Sequence, residues 1–319
     1  MNYRRLGKSG VKLSEVGLGT WLTFGNGIDN DTARACVRKA FDLGINFFDT
    51  ADVYARGASE EVTGRELKPL RRADIVLATK CFFPMSDGPN DRGLSRKHIF
   101  ESVEASLKRL QTDYIDLMQC HRYDPDVEIF ETVRAMDDLI RQGKILYWGT
   151  SEWPADKLRL AHEVARQLGA CPPYSDQPEY SIAARRVETS GVQQAALELG
   201  MGFVTWSPLR QGLLTGKYAG GKTPTDSRAA NDKMSAFLKK IDMVAVEKTE
   251  KLRPIAQRLG CSLAQLAIAW VARRPAVTSV ILGASRPQQV EENVKALDFT
   301  LSAADLAEID RIFPAAEHP

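Results

Sequence analysis

Eight short apolar runs punctuate this chain, and the segments between them repeat their hydrophobic residues at helical spacing. The runs begin at Val16 (VGLGT), Asn46 (NFFDT), Ile75 (IVLATK), Ile115 (IDLMQCH), Ile145 (ILYWGTS), Tyr174 (YSDQP), Gly202 (GFVTWSPL) and Ser279 (SVILGAS). Most are continuous and rich in β-branched or aromatic residues, as strands covered on both faces must be. Ile99, Phe100, Val103, Leu107 and Leu110 follow Ser95, an expected N-cap, and Val127, Phe130, Val133, Met136, Leu139 and Ile140 form a second apolar face that stops near Gly143. Ser262 with Gln265 has the capping-box spacing, Pro287 suits a first helical position, and Ser302 with Asp305 opens a last helix. Eight strand–helix units within 319 residues predict an α/β fold, a (β/α)8 TIM barrel, as one domain over residues 1–319. A hairpin over residues 1–15 precedes it, with Tyr3–Leu6 and Val11–Leu13 joined by a Lys8-Ser9-Gly10 turn. An open dinucleotide-binding sheet is the alternative; Gly17 and Gly19 begin its glycine fingerprint, but Leu22 stands where the third glycine belongs.

Charge and composition exclude several functions. Lys plus Arg number 43 against 41 Asp plus Glu, a net +2 that offers no concentrated basic face for nucleic acid. No run approaches the roughly 20 apolar residues of a membrane span, so no direct membrane insertion is expected. The opening MNYRRLGKSG lacks the apolar stretch of a secretory signal. Cys36, Cys81, Cys120, Cys171 and Cys261 are widely spaced with no CxxC pair, which reads as reduced thiols in a cytoplasmic protein. The histidines have no zinc-site spacing, so no metal is expected. The segment 210–250 is polar and longer than an ordinary strand-to-helix loop, as ligand-covering loops are. Within it, residues 216–223 match the GxxxxGK[ST] phosphate-loop pattern, but Pro224 follows and no helical repeat begins, which argues against a kinase or ATPase.

In a barrel of this kind chemistry sits at the C-terminal ends of the strands. Reading those ends yields Asp49, Lys80 and His121 on the second, third and fourth runs, with Tyr54 five residues past Asp49. A phenol with its ordinary pKa of about 10 is a poor acid near neutrality. A neighbouring ammonium favours the phenolate, a carboxylate holds that ammonium in place, and an imidazole can orient a carbonyl oxygen. Such a group delivers a proton to an oxygen gaining negative charge. None of these side chains carries a hydride, so a nicotinamide cofactor is the natural partner. Lys80 as a Schiff-base nucleophile of a barrel lyase is a competing reading; Asp49 and Tyr54 suit proton transfer better.

GLGTW (17–21), NFFDTADVY (46–54), ATK (78–80), QCH (119–121), GTSEW (149–153), QPEYS (177–181), WSPL (206–209), GLLTGKY (212–218) and GASRPQQVEEN (283–293) together resemble the aldo-keto reductases, over essentially the whole chain. The likeness is to the branch holding the potassium-channel β subunits and their bacterial enzyme relatives. It implies a catalytic tetrad of Asp49, Tyr54, Lys80 and His121, with Tyr54 as proton donor, and NADPH (or NADP+) extended across the barrel mouth. It implies reduction of a small-molecule aldehyde or ketone, or oxidation of the alcohol; the alternative is a cofactor-binding regulatory subunit of a membrane channel. Homo-oligomers occur in that branch. Carried over by position, Thr20, Trp21, Asp49, Ser151, Gln177 and Trp206 lie along the nicotinamide half. Ser207, Leu209, Gly212 and Lys217 line the pyrophosphate, with Arg228 closing over it. Gly283, Ser285, Arg286, Gln289, Glu292 and Asn293 surround the adenosine end. Ser285-Arg286-Pro287 runs into a helix start, where free N–H groups favour an anion, and an arginine there prefers a 2′-phosphate to a bare ribose. Trp21, Tyr54, Phe82 and Trp153 are expected to wall the substrate pocket. One departure stands out: Glu152 occupies a position where relatives carry Asn or Arg.

Overall fold

The computed structural model describes residues 1–221, 224 and 242–315. Strands β1 (Tyr3–Arg5) and β2 (Lys12–Ser14) form the antiparallel hairpin, in register Arg4 opposite Leu13. Eight further strands follow: β3 (Val16–Gly19), β4 (Phe47–Asp49), β5 (Val76–Cys81), β6 (Ile115–Cys120), β7 (Ile145–Thr150), β8 (Ser175–Asp176), β9 (Gly202–Thr205) and β10 (Val277–Gly283). They close into a parallel barrel in chain order, with β10 returning to pair with β3. All eight apolar runs are its strands. The sixth is shortest, because Pro172, Pro173 and Pro178 flank it and cannot donate to a ladder.

Helices α1 (Asn30–Asp42), α2 (Ala58–Leu67), α3 (Arg96–Leu110), α4 (Ile129–Arg141), α5 (Ala155–Leu168), α6 (Arg186–Thr189) and α7 (Val192–Leu199) follow β3 to β8. After β9 come α8 (Met243–Glu250), α9 (Arg253–Arg258) and α10 (Leu263–Ala272), and after β10 come α11 (Pro287–Val294) and α12 (Ala303–Ile312). The expected caps are present: the Ser95 hydroxyl accepts the His98 N–H, and Ser262/Gln265 and Ser302/Asp305 form complete capping boxes. Among the described residues, no single helix is long and apolar enough to cross a membrane.

Strand periodicity sorts side chains between two cores. Phe48, Leu77, Met118, Phe203 and Leu282 point outward into the large helix–sheet core. Phe47, Val76, Ala78, Leu117, Val204 and Ile281 point inward and pack with Leu6 and Leu13 of the hairpin, which plugs the N-terminal end. Gly17 and Gly19 also face inward. A Cβ on Gly17 would lie 2.5 Å from Phe47 Cδ1, and one on Gly19 2.4 Å from Ile281 Cγ2. These glycines leave room for neighbouring barrel side chains, which explains the partial GxG without any dinucleotide loop.

Candidate active site

The inward positions at the other end of the barrel are polar. On β5 the inward series Val76, Ala78 continues to Lys80, one residue before the strand ends, and on β4 it runs from Phe47 to Asp49. Lys80 is 0% exposed, and its Nζ donates to Asp49 Oδ2 at 2.7 Å and to the Thr50 carbonyl at 2.6 Å. Its third contact is the Tyr54 hydroxyl at 3.4 Å, a long hydrogen bond. Burial works against the Lys80 ammonium, but the Asp49 carboxylate and Tyr54 outweigh it, and its pKa is raised.

Asp49 is held from both sides. Its Oδ1 accepts Gln177 Nε2 at 2.9 Å and Gln119 Nε2 at 3.3 Å, and Gln177 Nε2 also lies 3.4 Å from Gln119 Oε1. Each member of this network is at most 3% exposed. Gln119 had no assigned role in the sequence, although a lone amide inside the apolar run IDLMQC is the trace it leaves. The Gln177 amide nitrogen, expected to meet a nicotinamide, is thus engaged within the protein.

Tyr54 opens a short 3-10 turn (Tyr54–Gly57) in which Ala55 and Arg56 take left-handed φ of 51° and 50°. This turn brings the phenol back over Lys80. The Lys80 ammonium does favour the phenolate, but burial is the larger effect, and the Tyr54 pKa is raised. Tyr54 therefore stands as a neutral phenol. Because Lys80 donates to the phenolic oxygen, the phenol's own proton is left to point elsewhere.

His121 follows β6 directly and packs edge-on to Tyr54, with ring centroids 5.8 Å apart, and to Phe83 at 4.9 Å. Burial first, then the positive charges of Lys80 and Arg122, hold its pKa well below the usual histidine value, so the ring is neutral. Its buried Nδ1 has no hydrogen-bond partner among the described residues.

The aromatic rim is partly as expected. Trp21 lies 6.4 Å from Tyr54 and edge-on to Trp206 at 6.0 Å. Phe82 is half-buried and packs on Phe83, and Phe83, which the sequence reading did not single out, touches His121. Trp153, expected as a pocket wall, is 1% exposed and sits edge-on to Tyr123, packed with the outer core. Thr20 is buried, its hydroxyl bonded to Ser59. The Ser151 hydroxyl donates to the Gln177 carbonyl at 3.0 Å.

Glu152 has a left-handed φ of 59°. Its carboxylate accepts the Trp206 indole N–H at 3.0 Å and the Glu179 backbone N–H, and pairs with Arg186 at 2.7 Å. It is a strut for the tryptophan, with its charge balanced by Arg186.

Toward β9 and β10 the residues are more open. Ser207 has a left-handed φ of 58°, Leu209 caps the 3-10 turn Arg210–Thr215, and Gly212 lies within it. Gly212 (φ 95°) has the Lys217 side chain across its bare Cα, where a Cβ would meet Lys217 Cε at 2.5 Å. Gly283, Ser285 and Arg286 are exposed, and Arg286 caps α11 without a side-chain cap bond. The Ser285 N–H is not free as expected: it donates to Gln289 Oε1 at 2.8 Å, folding the loop onto its own helix. Glu292 is exposed and Asn293 buried on α11. Arg228 lies outside the described residues, as do Lys222 and Thr223 of the phosphate-loop match.

A parallel eight-stranded barrel with a buried lysine–carboxylate pair under a neutral phenol and a neutral imidazole can pass a proton to a carbonyl oxygen. The sequence matches the Aldo/keto reductase family over residues 15–313, and the chain belongs to that family. It is similar to a probable voltage-gated potassium channel subunit beta of Oryza sativa subsp. japonica, 48% identical over 302 residues that cover 93% of this chain and 92% of the relative. The same values hold for a protein of that description from Arabidopsis thaliana. A putative voltage-gated potassium channel subunit beta of Schizosaccharomyces pombe is 42% identical over 319 residues, covering 97% and 92%.

Proposed function

We propose that this chain is a cytoplasmic NADPH-dependent reductase of aldehydes and ketones, with Tyr54 as the proton donor. The observation that carries the reading is the contact chain Asp49–Lys80–Tyr54 beside His121. Lys80 occupies the phenolic oxygen from behind, so the phenol proton is presented to a carbonyl oxygen in the mouth. The neutral His121 offers a ring N–H to the same oxygen. As Tyr54 gives up its proton, the Lys80 ammonium at 3.4 Å stabilises the resulting phenolate. Positioned proton transfer of this kind contributes about 10²–10⁴ in rate.

A bound reduced nicotinamide would supply the hydride. The donor set fits it: the Gln177 amide stands beside Asp49 with its oxygen remaining, Ser151 is bonded to the Gln177 backbone carbonyl, and partly exposed Trp21 and Trp206 offer flat faces. Arg286 fits a 2′-phosphate, being exposed with no acidic partner among the described residues. Thr20, Ser207, Leu209, Gly212, Lys217, Gly283, Ser285, Gln289, Glu292 and Asn293 line the same course, and Arg228 is proposed to close over it.

Titration of the tryptophan fluorescence with NADPH and NADH tests the reading. Stronger quenching by NADPH than NADH is expected, followed by NADPH-dependent reduction of simple aldehydes. Binding of neither coenzyme would overturn it. The relatives' names support a second reading, a regulatory subunit on a potassium channel; a stable channel complex in pull-downs with negligible turnover would favour it over the first.

A further inference from the structure

Arg122 follows His121 and is half-buried at the mouth. Its guanidinium lies over the Phe83 ring at 5.5 Å, on the aromatic that packs against His121. Only Nη1 is engaged, with the His121 carbonyl and, at 3.4 Å, the Ser151 hydroxyl. Among the described residues, Nε and Nη2 have no acceptor and no carboxylate pairs with Arg122. The acids around the mouth are committed elsewhere. Asp49 holds Lys80, Glu152 holds Arg186, Glu179 holds Arg210, and Asp124 accepts the backbone N–H groups of Leu94 and Asp126. A planar cation with spare, pre-oriented N–H groups is the residue type that grips a carboxylate through two bonds.

The cofactor does not account for this charge. Its phosphates are proposed at the loops after β9 and β10, and β6, which carries Arg122, stands four strands from β10 in the ring of eight, on the opposite side. Arg122 instead borders His121 and Ser151, the end of the mouth where the reacting carbonyl would meet the nicotinamide.

We infer that Arg122 selects carbonyl substrates that carry a carboxylate or similar anionic group away from the reacting carbonyl. This rests on the reductase reading. The charge acts on the site already: with Lys80, it lowers the basicity of His121.

The test compares 3- and 4-carboxybenzaldehyde with the matching methylbenzaldehydes, using wild type, Arg122→Gln and Arg122→Lys. In Arg122→Gln, KM for the better carboxylated aldehyde is expected to rise about tenfold or more, as loss of a charge-assisted hydrogen bond predicts. Any change that acts through His121 falls on both series alike, so the carboxylated-to-methyl ratio of kcat/KM should itself drop about tenfold, and Arg122→Lys should recover part of that ratio. Equal effects on both series, or no effect on either, would overturn the inference. A second readout needs no turnover: quenching of tryptophan fluorescence by 4-carboxybenzyl alcohol against 4-methylbenzyl alcohol. Stronger binding of the carboxylated alcohol, abolished in Arg122→Gln, is expected; equal binding of the two would overturn it. If no aldehyde is reduced while the carboxylated alcohol still binds through Arg122, the reductase reading fails and the anion site stands.

Discussion

The two ends of the barrel interior are built from the same strands and do opposite work. At the hairpin end, Leu6, Leu13, Phe47, Val76 and Leu117 close a dry apolar plug. Two residues further along β4 and four further along β5, the inward positions hold Asp49 and Lys80, with Asp49 tied to Gln119 and Gln177. Both ends are buried, so burial alone does not mark a site. The difference is what burial does to each. Apolar side chains gain about 1.5–3 kcal/mol apiece from it, whereas charges and amides are held only because each finds a partner. The apolar end supplies stability, and the polar end holds its groups in one fixed mutual arrangement.

The comparison can be broken most severely at Lys80. Lys80→Met leaves the Asp49 carboxylate buried without its cation, which costs about 3–5 kcal/mol, and also removes the stabiliser of the Tyr54 phenolate. Carbonyl reduction should fall by about 10² or more, with a lower melting temperature in calorimetry. At the other end, Leu13→Ala should cost about 2–5 kcal/mol in denaturant unfolding, while turnover per folded molecule stays near wild type. Activity lost in proportion to stability would show that the ends are not separable.

pH sharpens the contrast. Asp52, buried between Asp49 and Tyr54 in sequence, has its carboxyl pushed up to about 7, mainly by burial and then by Glu60. Its native pKa lies above the ordinary 3.8, so the folded state holds a proton that the unfolded state releases. The stability this proton supports is full below pH 3.8 and is lost as pH rises toward about 7. Asp52→Asn removes that loss, so its stability relative to wild type should increase from acidic to neutral pH in urea titrations. A pH-independent difference would contradict the protonated Asp52. The smallest effect is expected at Glu152. Glu152→Gln keeps an acceptor for the Trp206 indole and gives up only a pair whose arginine side chain is 57% exposed, a change of about 1 kcal/mol or less. Glu152→Ala should also shift the tryptophan emission, and an unchanged spectrum would deny the strut.

The fold was legible because most barrel strands are continuous apolar runs, three helix starts carry capping serines and a fourth carries Pro287 at its first position. Asp49, Lys80 and His121 could be picked out because polar groups interrupt those runs at their C-terminal ends, and Tyr54 because it follows in the loop after the second run. What escaped depends on three-dimensional partners. Gln119 is one amide among apolar neighbours, and only the barrel closure joins it to Gln177 from β8. Trp153 looks like a rim aromatic until the turn after β7 directs it into the outer core. Burial, the larger influence on Tyr54, has no local signature in the sequence. The Glu152 strut rests on a left-handed φ that no residue type at that position announces.

The central claim is that Tyr54, held neutral over Lys80, donates the proton. The direct measurement is NADPH-dependent aldehyde reduction by Tyr54→Phe, with coenzyme binding followed in the same samples by tryptophan quenching. The account predicts turnover reduced by about 10²–10⁴ with NADPH affinity and melting temperature near wild type. Reduction at the wild-type rate by Tyr54→Phe would contradict it.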